Sequence, residues 1–306
     1  KDLVYLRSFY YSLVLCLLGL SIDGFYQFIN GENLLGFKYS GDRLSSFFGS
    51  ELILGSYISR LMPIFFSIST LLFFNSRFNV LFSIVLLIIA DLLIYFSGER
   101  AAFFYLICYT LLLIFLLQKN NYIRLYALFI SILLLFIFSI FNPNLHRNMF
   151  DKTASQINLF GDKLNAFSPE HQNHYESALK IFYDNYIFGV GPKMFRQVCG
   201  YKEYFVVDGC NTHPHNIYIQ LLAETGIVGA LFVLSIFLII TFNIFKHLVY
   251  KFRKINCFSD YQICLIGCFF IYLWPIIPSG NFFHNWLNII YFIPIGLFLA
   301  EKYKNL

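Results

Sequence analysis

Charged side chains are scarce in this chain of 306 residues: Asp, Glu, Lys and Arg together make up 13%, whereas hydrophobic residues make up 58%. A soluble domain of this length needs a polar surface around its core, and this composition does not supply one. Phe alone contributes 39 residues, and the mean hydropathy is +0.65. The composition excludes an ordinary soluble protein and indicates a polytopic membrane protein.

Several other features are also missing. No basic stripe with interleaved aromatic residues lies in a soluble segment, so the net charge of +5 does not indicate a nucleic-acid partner. No cleavage site follows the first apolar run, which argues against a signal peptide. The sequence contains no internal repeat of the kind found in transporters built from two repeated halves. No Pro- or Ser-rich linker divides the chain, so we expect a single membrane domain over residues 1–306.

Catalytic signatures of soluble enzymes are absent too. The sequence has no Ser-centred nucleophile elbow and no Cys/His signature. The run Gly189-Val-Gly-Pro192 lacks the preceding strand and following helix of a phosphate-binding loop. We interpret it as a turn.

Apolar runs of about 17 to 25 residues are long enough to cross a bilayer as helices. We count eight, at 3–22, 51–74, 80–97, 101–117, 125–141, 216–245, 261–278 and 287–300. The predicted fold class is therefore all-α, a polytopic membrane protein of about eight spanning helices. The chain begins without Met, and we expect further spans before it.

The distribution of Lys and Arg predicts the orientation, because short cytoplasmic loops are enriched in these residues. Arg77, Lys119, Arg124 and the basic residues of 246–254 fall on one side, which predicts that both termini are cytoplasmic. The long polar segment 142–215 falls on the other side, as a periplasmic loop containing short helices. Ser168-Pro169 is typical of a helix start, and the turn at 189–192 of a helix end.

Two of the seven cysteines, Cys199 and Cys210, lie in this loop, eleven residues apart. An oxidising compartment permits a disulfide between them. Two loop cysteines can also remain free, so the sequence leaves both states open.

The most informative stretch is Asn211 to Gly226, where polar residues precede and enter an apolar segment. If a helix starts near Pro214, then Asn216, Gln220 and Glu224 fall at i, i+4 and i+8 on one face. His213 projects near this stripe, whereas His215 points elsewhere unless it precedes the regular helix. Hydrogen bonding between helices is the alternative explanation of the stripe.

Several arginines also lie at or near the side of the membrane predicted to be periplasmic. Arg43 and Arg100 suit a phosphate or diphosphate, through bidentate hydrogen bonds. Contact with lipid headgroups is their alternative role. Arg60 and Asp91 lie at similar depth in two consecutive spans, so we predict that they form an ion pair.

A metal site is another possible use of the histidines. His171 with His174 and His213 with His215 are plausible ligand pairs. No third and fourth ligand is spaced with them in a recognised pattern, so we expect no metal.

Three motifs resemble the O-antigen ligase and polymerase superfamily of bacterial envelope enzymes, which includes the O-oligosaccharyltransferases. They are Arg43-Leu-Ser-Ser-Phe-Phe-Gly49 with Leu54-Gly-Ser-Tyr57, Ser97-Gly-Glu-Arg-Ala-Ala102, and His213-Pro-His-Asn216 with Gln220 and Glu224-Thr-Gly226. The loop run Phe188-Gly-Val-Gly-Pro-Lys-Met-Phe195 is similar as well.

The resemblance implies a glycosyltransferase of the inner membrane with a periplasmic active face and no cofactor. It would move a glycan from an undecaprenyl-diphosphate carrier to a hydroxyl of lipid A-core, as a ligase, or of a growing glycan, as a polymerase. Membrane lipids would surround it. A transporter or flippase is the alternative of a different class.

The resemblance also implies residue roles. His215 would be the catalytic base, with His213 and Glu224 as further catalytic candidates. Arg43 and Arg100 would bind the diphosphate, with Arg60 as a further candidate, and Asn216 and Gln220 would support the site. Helical geometry alone favours His213 over His215, because His213 is the one that lies near Glu224.

Overall fold

The computed structural model describes residues 2–39, 41, 43–73, 76–119, 121–141, 143–156, 158, 167–255 and 257–304. The chain forms two units. Unit 1 comprises Lys1–Thr153, Ile244–Ile271 and Glu301–Leu306, and unit 2 comprises Ala154–Asn243 and Tyr272–Ala300. Apart from an isolated bridge between Glu32 and Lys38, the described part of the chain contains no β-structure. The predicted all-α class is confirmed.

Eight helices of the described residues overlap the eight predicted apolar segments, although one of them, Asp260–Tyr272, ends six residues before the predicted segment 261–278 does. They are α1 Asp2–Asn30, α2 Leu54–Leu72, α3 Arg77–Phe96, α4 Arg100–Leu116, α5 Asn121–Phe141, α10 Ile217–Phe252, α11 Asp260–Tyr272 and α12 Asn285–Lys304. Within the described residues, four stretches are long and apolar enough to cross a membrane: Leu3–Asn30, Arg77–Phe96, Asn121–Phe141 and Ile217–Phe252. The total of about eight spans stays a prediction.

Besides a π-helical turn at Arg147–Asp151, the described residues between α5 and α10, where the long loop was predicted, form four further α-helices. They are α6 Pro143–His146, α7 Lys152–Gln156, α8 Pro169–Asp184 and α9 Phe195–Val198. Part of this loop, residues 159–166, lies outside the described residues. The predicted start of α8 is confirmed, since Ser168 is its N-cap and Pro169 its first residue. The helix ends at Asp184, before the glycine turn.

Unit 1 is built around a buried ion pair between α3 and α5. Nη1 of Arg124 lies 2.7 Å from Oδ2 of Asp91, and both side chains are almost completely buried. The guanidinium also donates to the hydroxyl of Thr110 on α4, and Ser131 donates to the same Asp91 oxygen. Buried charges are costly unless they are paired and hydrogen-bonded. Arg124 and Oδ2 of Asp91 meet both conditions, whereas Oδ1 of Asp91 accepts no hydrogen bond from the described residues.

The predicted pair between Arg60 and Asp91 is therefore wrong. Arg60 is buried, donates to the Ser56 carbonyl of its own helix at 2.9 Å, and lies 5.0 Å from the centre of the Tyr105 ring. Similar depth in a hairpin did not decide the partner, because α5 brings Arg124 to Asp91. Arg124, which the orientation argument treated as a loop charge, is a fully buried residue of α5.

In unit 2, the predicted span 216–245 corresponds to a helix with a break. Within α10, Gly226 has φ 64° and ψ −168°, which interrupts the helical backbone. On the C-terminal side of the break, a neighbouring turn pairs the first two backbone amides. Ile227 donates to the Tyr186 carbonyl at 2.7 Å, and Val228 donates to the Ile187 carbonyl at 3.4 Å. These bonds replace the intrahelical partners that a helix start lacks.

The same turn also pairs backbone carbonyls of α10 on the N-terminal side of the break. Val190 donates to the Ala223 carbonyl at 3.0 Å, and Gly191 donates to the Glu224 carbonyl at 2.9 Å. Residues 186–191, here named the capping segment, thus supply acceptors to one half of α10 and donors to the other.

Two glycines make this close approach possible. A Cβ on Gly226 would overlap the backbone of Ile187 and Phe188, and a Cβ on Gly189 would overlap the backbone of Glu224 and Thr225. Both glycines also have a positive φ, which side chains disfavour.

Apolar packing joins the other elements of unit 2. The buried cluster contains Ala178, Ile181, Phe195, Val198, Cys199 and Ala223. It packs α8 and α9 against the upper half of α10, the part from Ile217 to the break at Gly226.

A double-mutant cycle tests the corrected ion pair. We expect Asp91→Asn and Arg124→Gln each to lower the free energy of unfolding by about 3 to 5 kcal/mol, because each leaves a buried charge without its partner. The double variant should lose less than the sum. Denaturant unfolding in mixed micelles measures this. Asp91→Asn combined with Arg60→Gln is the control and should be additive; coupling in the control pair and additivity in the first would contradict the assignment.

Candidate active site

A disulfide braces the approach to the predicted catalytic histidines. Cys199 and Cys210 are bonded, with Cα atoms 5.3 Å apart. This resolves the two states that the sequence left open. Cys199 is buried in the cluster between α8, α9 and α10, so the bridge ties the residue directly before Asn211 to the core of unit 2.

Four imidazole rings meet in unit 2. The His215 ring centre lies 4.1 Å from that of His213, 5.4 Å from that of His174 and 5.6 Å from that of His171. The His171 and His174 ring centres are 6.4 Å apart, three residues along α8. We call these four residues the histidine cluster. The sequence predicted two histidines at the site, and α8 adds two more.

His215 is held in a strained backbone conformation. Its φ is +59°, in the left-handed region that residues other than glycine seldom adopt. Its carbonyl accepts a hydrogen bond from the Ser279 amide at 2.8 Å, which helps to maintain this conformation. Strain of this kind costs about 1 to 3 kcal/mol and is often found at functional sites.

The side chain of Asn211 fixes the tautomer of His215. Oδ1 of Asn211 accepts from the Thr212 amide at 2.7 Å, so its Nδ2 group faces Nε2 of His215 at 3.2 Å. Because Nδ2 can only donate, Nε2 of His215 is an acceptor, and the neutral ring carries its proton on Nδ1. His215 therefore presents a nitrogen that is able to take a proton.

His213 has both ring nitrogens engaged. Nε2 lies 3.2 Å from the Ser279 carbonyl, which can only accept, so this nitrogen carries the proton. Nδ1 then accepts from the hydroxyl of Thr212 at 2.9 Å. In this arrangement the His213 ring links Thr212 to Ser279, and the Ser279 amide donates to the His215 carbonyl.

Burial keeps both of these histidines neutral. It lowers the pKa of His215 to about 3 and that of His213 to about 4. Charge on neighbouring histidines lowers these pKa values further, whereas the hydrogen bond to Ser279 opposes the effect at His213.

Asn216 caps the start of α10. Its Oδ1 accepts from the amides of Tyr218 and Ile219 at 3.0 and 3.1 Å, as an N-cap side chain does. Its Nδ2 donates to the Pro275 carbonyl at 2.7 Å. This residue joins α10 to the segment that carries Ser279.

Gln220 and Glu224 continue the predicted stripe, and both are fully buried. Nε2 of Gln220 donates to Glu224 at 2.9 Å and to Asn281 at 2.8 Å, and Oε1 of Gln220 accepts from the Phe282 amide at 2.9 Å. Glu224 also accepts from the Phe195 amide at 3.0 Å. Both side chains are satisfied by protein groups, in agreement with the alternative reading of the stripe as structural hydrogen bonding.

The first two motifs meet in unit 1 through Glu99. Its carboxylate accepts from the amides of Gly55 and Ser56 at the start of α2, and from the Ser56 hydroxyl at 2.6 Å. Arg43 lies 4.0 Å from the same carboxylate and donates to the Leu52 carbonyl at 2.6 Å. Burial raises the pKa of Glu99, and the hydrogen bonds from Ser56 and the charge of Arg43 oppose this effect.

The other predicted arginines occupy different positions in unit 1. Arg100 is the first residue of α4 and is half-buried. Arg60 is 2% exposed, within α2. Arg43 is about one-third exposed, so it is more accessible than Arg60.

Two further features of the described residues bear on possible ligands. No three His, Cys, Asp or Glu side chains in this part of the chain are arranged to hold a metal ion. A cavity of about 470 Å³ in unit 1 contains none of the predicted site residues. It is lined by Thr70, Leu71, Gln118, Lys119, Cys257, Phe258, Ser259, Asp260, Tyr261 and Glu301.

Comparison with known families decides the broad identity. The family model described as O-antigen ligase matches residues 82–234, which are 153 of the 306 residues. The chain belongs to the O-antigen ligase family. A search of curated proteins found no match.

The match to the O-antigen ligase family covers the turn that carries Glu99 and Arg100 as well as the histidine cluster, whereas Arg43 and Arg60 precede it. Membership supports a membrane enzyme of the ligase or polymerase type, with glycan and lipid-linked substrates.

The sequence did not predict every residue of the candidate site in this O-antigen ligase family protein. Asn211, Ser279 and Asn281 contact the predicted residues, and two of the three lie more than sixty positions along the chain from His215 and Gln220. His171 and His174 were noticed only as a ligand pair. Their spacing on one helix face was visible, but their meeting with His215 depends on tertiary packing.

The lowered histidine pKa values predict acid sensitivity. An unfolded chain binds protons at His213 and His215 near the ordinary pKa of 6.5, whereas the folded chain does so only near 4 and 3. The unfolded state therefore binds more protons as the pH falls below about 6.5, and stability decreases.

We expect the unfolding temperature in detergent to fall between about pH 7.5 and pH 5, and to fall less in the double variant His213→Asn/His215→Asn. His146→Asn is the control, since this ring is outside the cluster and about half exposed. An equal pH dependence of the double variant and the wild type would contradict the prediction.

Proposed function

We propose that this protein transfers a glycan from an undecaprenyl-diphosphate carrier to an acceptor hydroxyl, and that it acts as an O-antigen ligase joining polysaccharide to lipid A-core. The observation that carries the proposal is the state of His215. It is neutral, held in place by Ser279 and Asn211, and it has an accepting ring nitrogen. A general base needs these properties.

In the proposed reaction, the acceptor hydroxyl replaces the Asn211 amide at Nε2 of His215. The hydroxyl oxygen attacks the anomeric carbon of the donor sugar as its proton passes to Nε2. The bond between the anomeric carbon and the phosphate oxygen breaks, and undecaprenyl diphosphate leaves with the bonding electrons. One glycosidic bond forms and one glycosyl phosphate bond is lost.

The low pKa of His215 makes it a weak base without substrate. The donor changes this, because the diphosphate is attached to the carbon under attack. Negative charge within a few ångströms favours the protonated imidazole and raises its pKa. In this proposal the substrate itself brings the base closer to the operating pH.

Arg43 and Arg100 are proposed to bind the diphosphate and to stabilise the charge that develops as it leaves. Glu99 would orient Arg43, because its carboxylate is fixed at the start of α2. No metal is assigned to this step. Burial at 2% exposure supports a structural role for Arg60 more than contact with substrate.

The remaining site residues are proposed to position the base. His213 holds the segment around His215 through Ser279 and Thr212. Glu224, Gln220 and Asn216 are buried and bonded to protein groups, so we assign them to the support of the site.

Substitution of the base tests the proposal. We expect His215→Gln to lower the rate of transfer from a lipid-diphosphate-linked donor by about 10² to 10⁴, because a glutamine amide cannot accept the proton. His171→Gln is the matched control from the same cluster and should lose much less. Transfer by purified protein in vesicles, measured at saturating donor, separates a slower reaction from weaker binding. Full activity of His215→Gln would refute the assignment.

The acceptor is tested separately in cells. A deletion strain that accumulates intact polymer and core-only lipopolysaccharide on a gel supports the ligase. Core carrying a single repeat unit would identify a polymerase with the same donor chemistry. Complementation with the wild-type chain and with His215→Gln shows whether either profile depends on the proposed base.

A further inference from the structure

Unit 2 carries an exposed apolar patch at the end of α8. Tyr183, Tyr186, Ile187 and Phe188 are 73, 57, 44 and 73% exposed. They follow the polar first half of α8, so the patch is confined to one end of the helix. Four large apolar side chains exposed within six residues of chain indicate a surface that something covers.

The backbone of this patch is fixed against α10. The carbonyls of Tyr186 and Ile187 accept from Ile227 and Val228, immediately below the break at Gly226. The patch therefore has a defined height along α10.

The length of α10 below the break gives the position of the membrane. From Ile227 to Phe245 there are 19 residues without a charge, and the first charged residue is Lys246. At about 1.5 Å per residue this stretch is about 28 Å long, close to the ~30 Å of a hydrocarbon core. The break then lies at the edge of the hydrocarbon, with Gln220 and Glu224 beyond it.

Lipid-facing side chains of α10 continue from the patch. Val228, Leu231 and Phe232 are 51, 54 and 67% exposed, within two turns of the break. Exposed apolar residues on this charge-free stretch face acyl chains. The patch is joined to them by backbone hydrogen bonds, and aromatic side chains are enriched at this level of a bilayer.

We infer that residues 183–188 are a membrane-surface anchor, which inserts its four apolar side chains into the boundary between headgroups and acyl chains. The anchor lies on the side of the membrane where α10 begins. Since α8 also carries His171 and His174, it connects the anchor to the histidine cluster. A helix of 16 residues is about 24 Å long, so α8 is a rigid spacer that holds the cluster above the lipid.

Fluorescence quenching by lipid tests the anchor. Phe188→Trp is made in a background in which Trp274 and Trp286 are phenylalanine, and the protein is reconstituted into phosphatidylcholine vesicles. With lipids brominated near the headgroup end of the acyl chains, we expect the emission at position 188 to be about twofold lower than in unbrominated lipid.

Val207→Trp is the matched control. This residue is 67% exposed and lies in the same loop, but Gly209, two residues further on, lies close to the Asn173 carbonyl near the other end of α8. Its emission should be the same in both lipids. Tyr186→Trp serves as a second reporter if Phe188→Trp does not fold.

Equal emission of both reporters in the two lipids, together with quenching by aqueous iodide, would overturn the inference. If added acceptor glycan instead protects the reporter from iodide, the patch binds sugar and not lipid. The assay does not depend on glycan transfer. A quenched reporter together with a wild-type protein that transfers no glycan would contradict the proposed function alone, and an unquenched reporter in an active protein would contradict the anchor alone.

Discussion

The arrangement of unit 2 depends on the hydrogen bonds that close the break in α10 at Gly226. A break in a helix leaves amides on one side and carbonyls on the other without intrahelical partners. Ala223, Glu224 and Gly226 at this break are buried, and a buried group that stays unpaired costs about 1 to 3 kcal/mol. The capping segment supplies two acceptors and two donors to α10. Gly189 and Gly226 allow the two backbones to approach this closely.

The candidate site is built on the short upper half of α10, which these hydrogen bonds hold in place. Glu224 ties it to Phe195 at the start of α9, and Gln220 and Asn216 tie it to residues 275–282. The same segment holds the His215 backbone and the His213 ring through Ser279. The histidine cluster is thus held by hydrogen bonds within the protein, as the catalytic role proposed for His215 requires.

Local patterns predicted what depends on local physics. Apolar runs predicted the long helices, Ser168 and Pro169 predicted the start of α8, and the i, i+4 spacing predicted the contact between Gln220 and Glu224. The break at Gly226 was not predicted, because a single glycine within an apolar run is also compatible with a continuous helix. The partner of Asp91 was predicted from neighbours in sequence, whereas packing of α5 brought Arg124. The chemistry of arginine indicated a phosphate ligand for Arg43 and Arg100, whereas the choice of His215 as the base came from the family resemblance, since spacing alone favoured His213.

Hydrogen exchange at the capping segment tests most directly whether it closes the break and supports the site. In reconstituted protein, the amides of Val190 and Gly191 should exchange as slowly as those in the middle of α8. Gly189→Ala should accelerate exchange there and at Ile227 together, because its Cβ displaces the segment from α10. Gly296→Ala, where a Cβ meets nothing within 4 Å, should leave these amides unchanged. Rapid exchange at Val190 and Gly191 in the wild-type protein, or an unchanged rate in Gly189→Ala, would contradict the account.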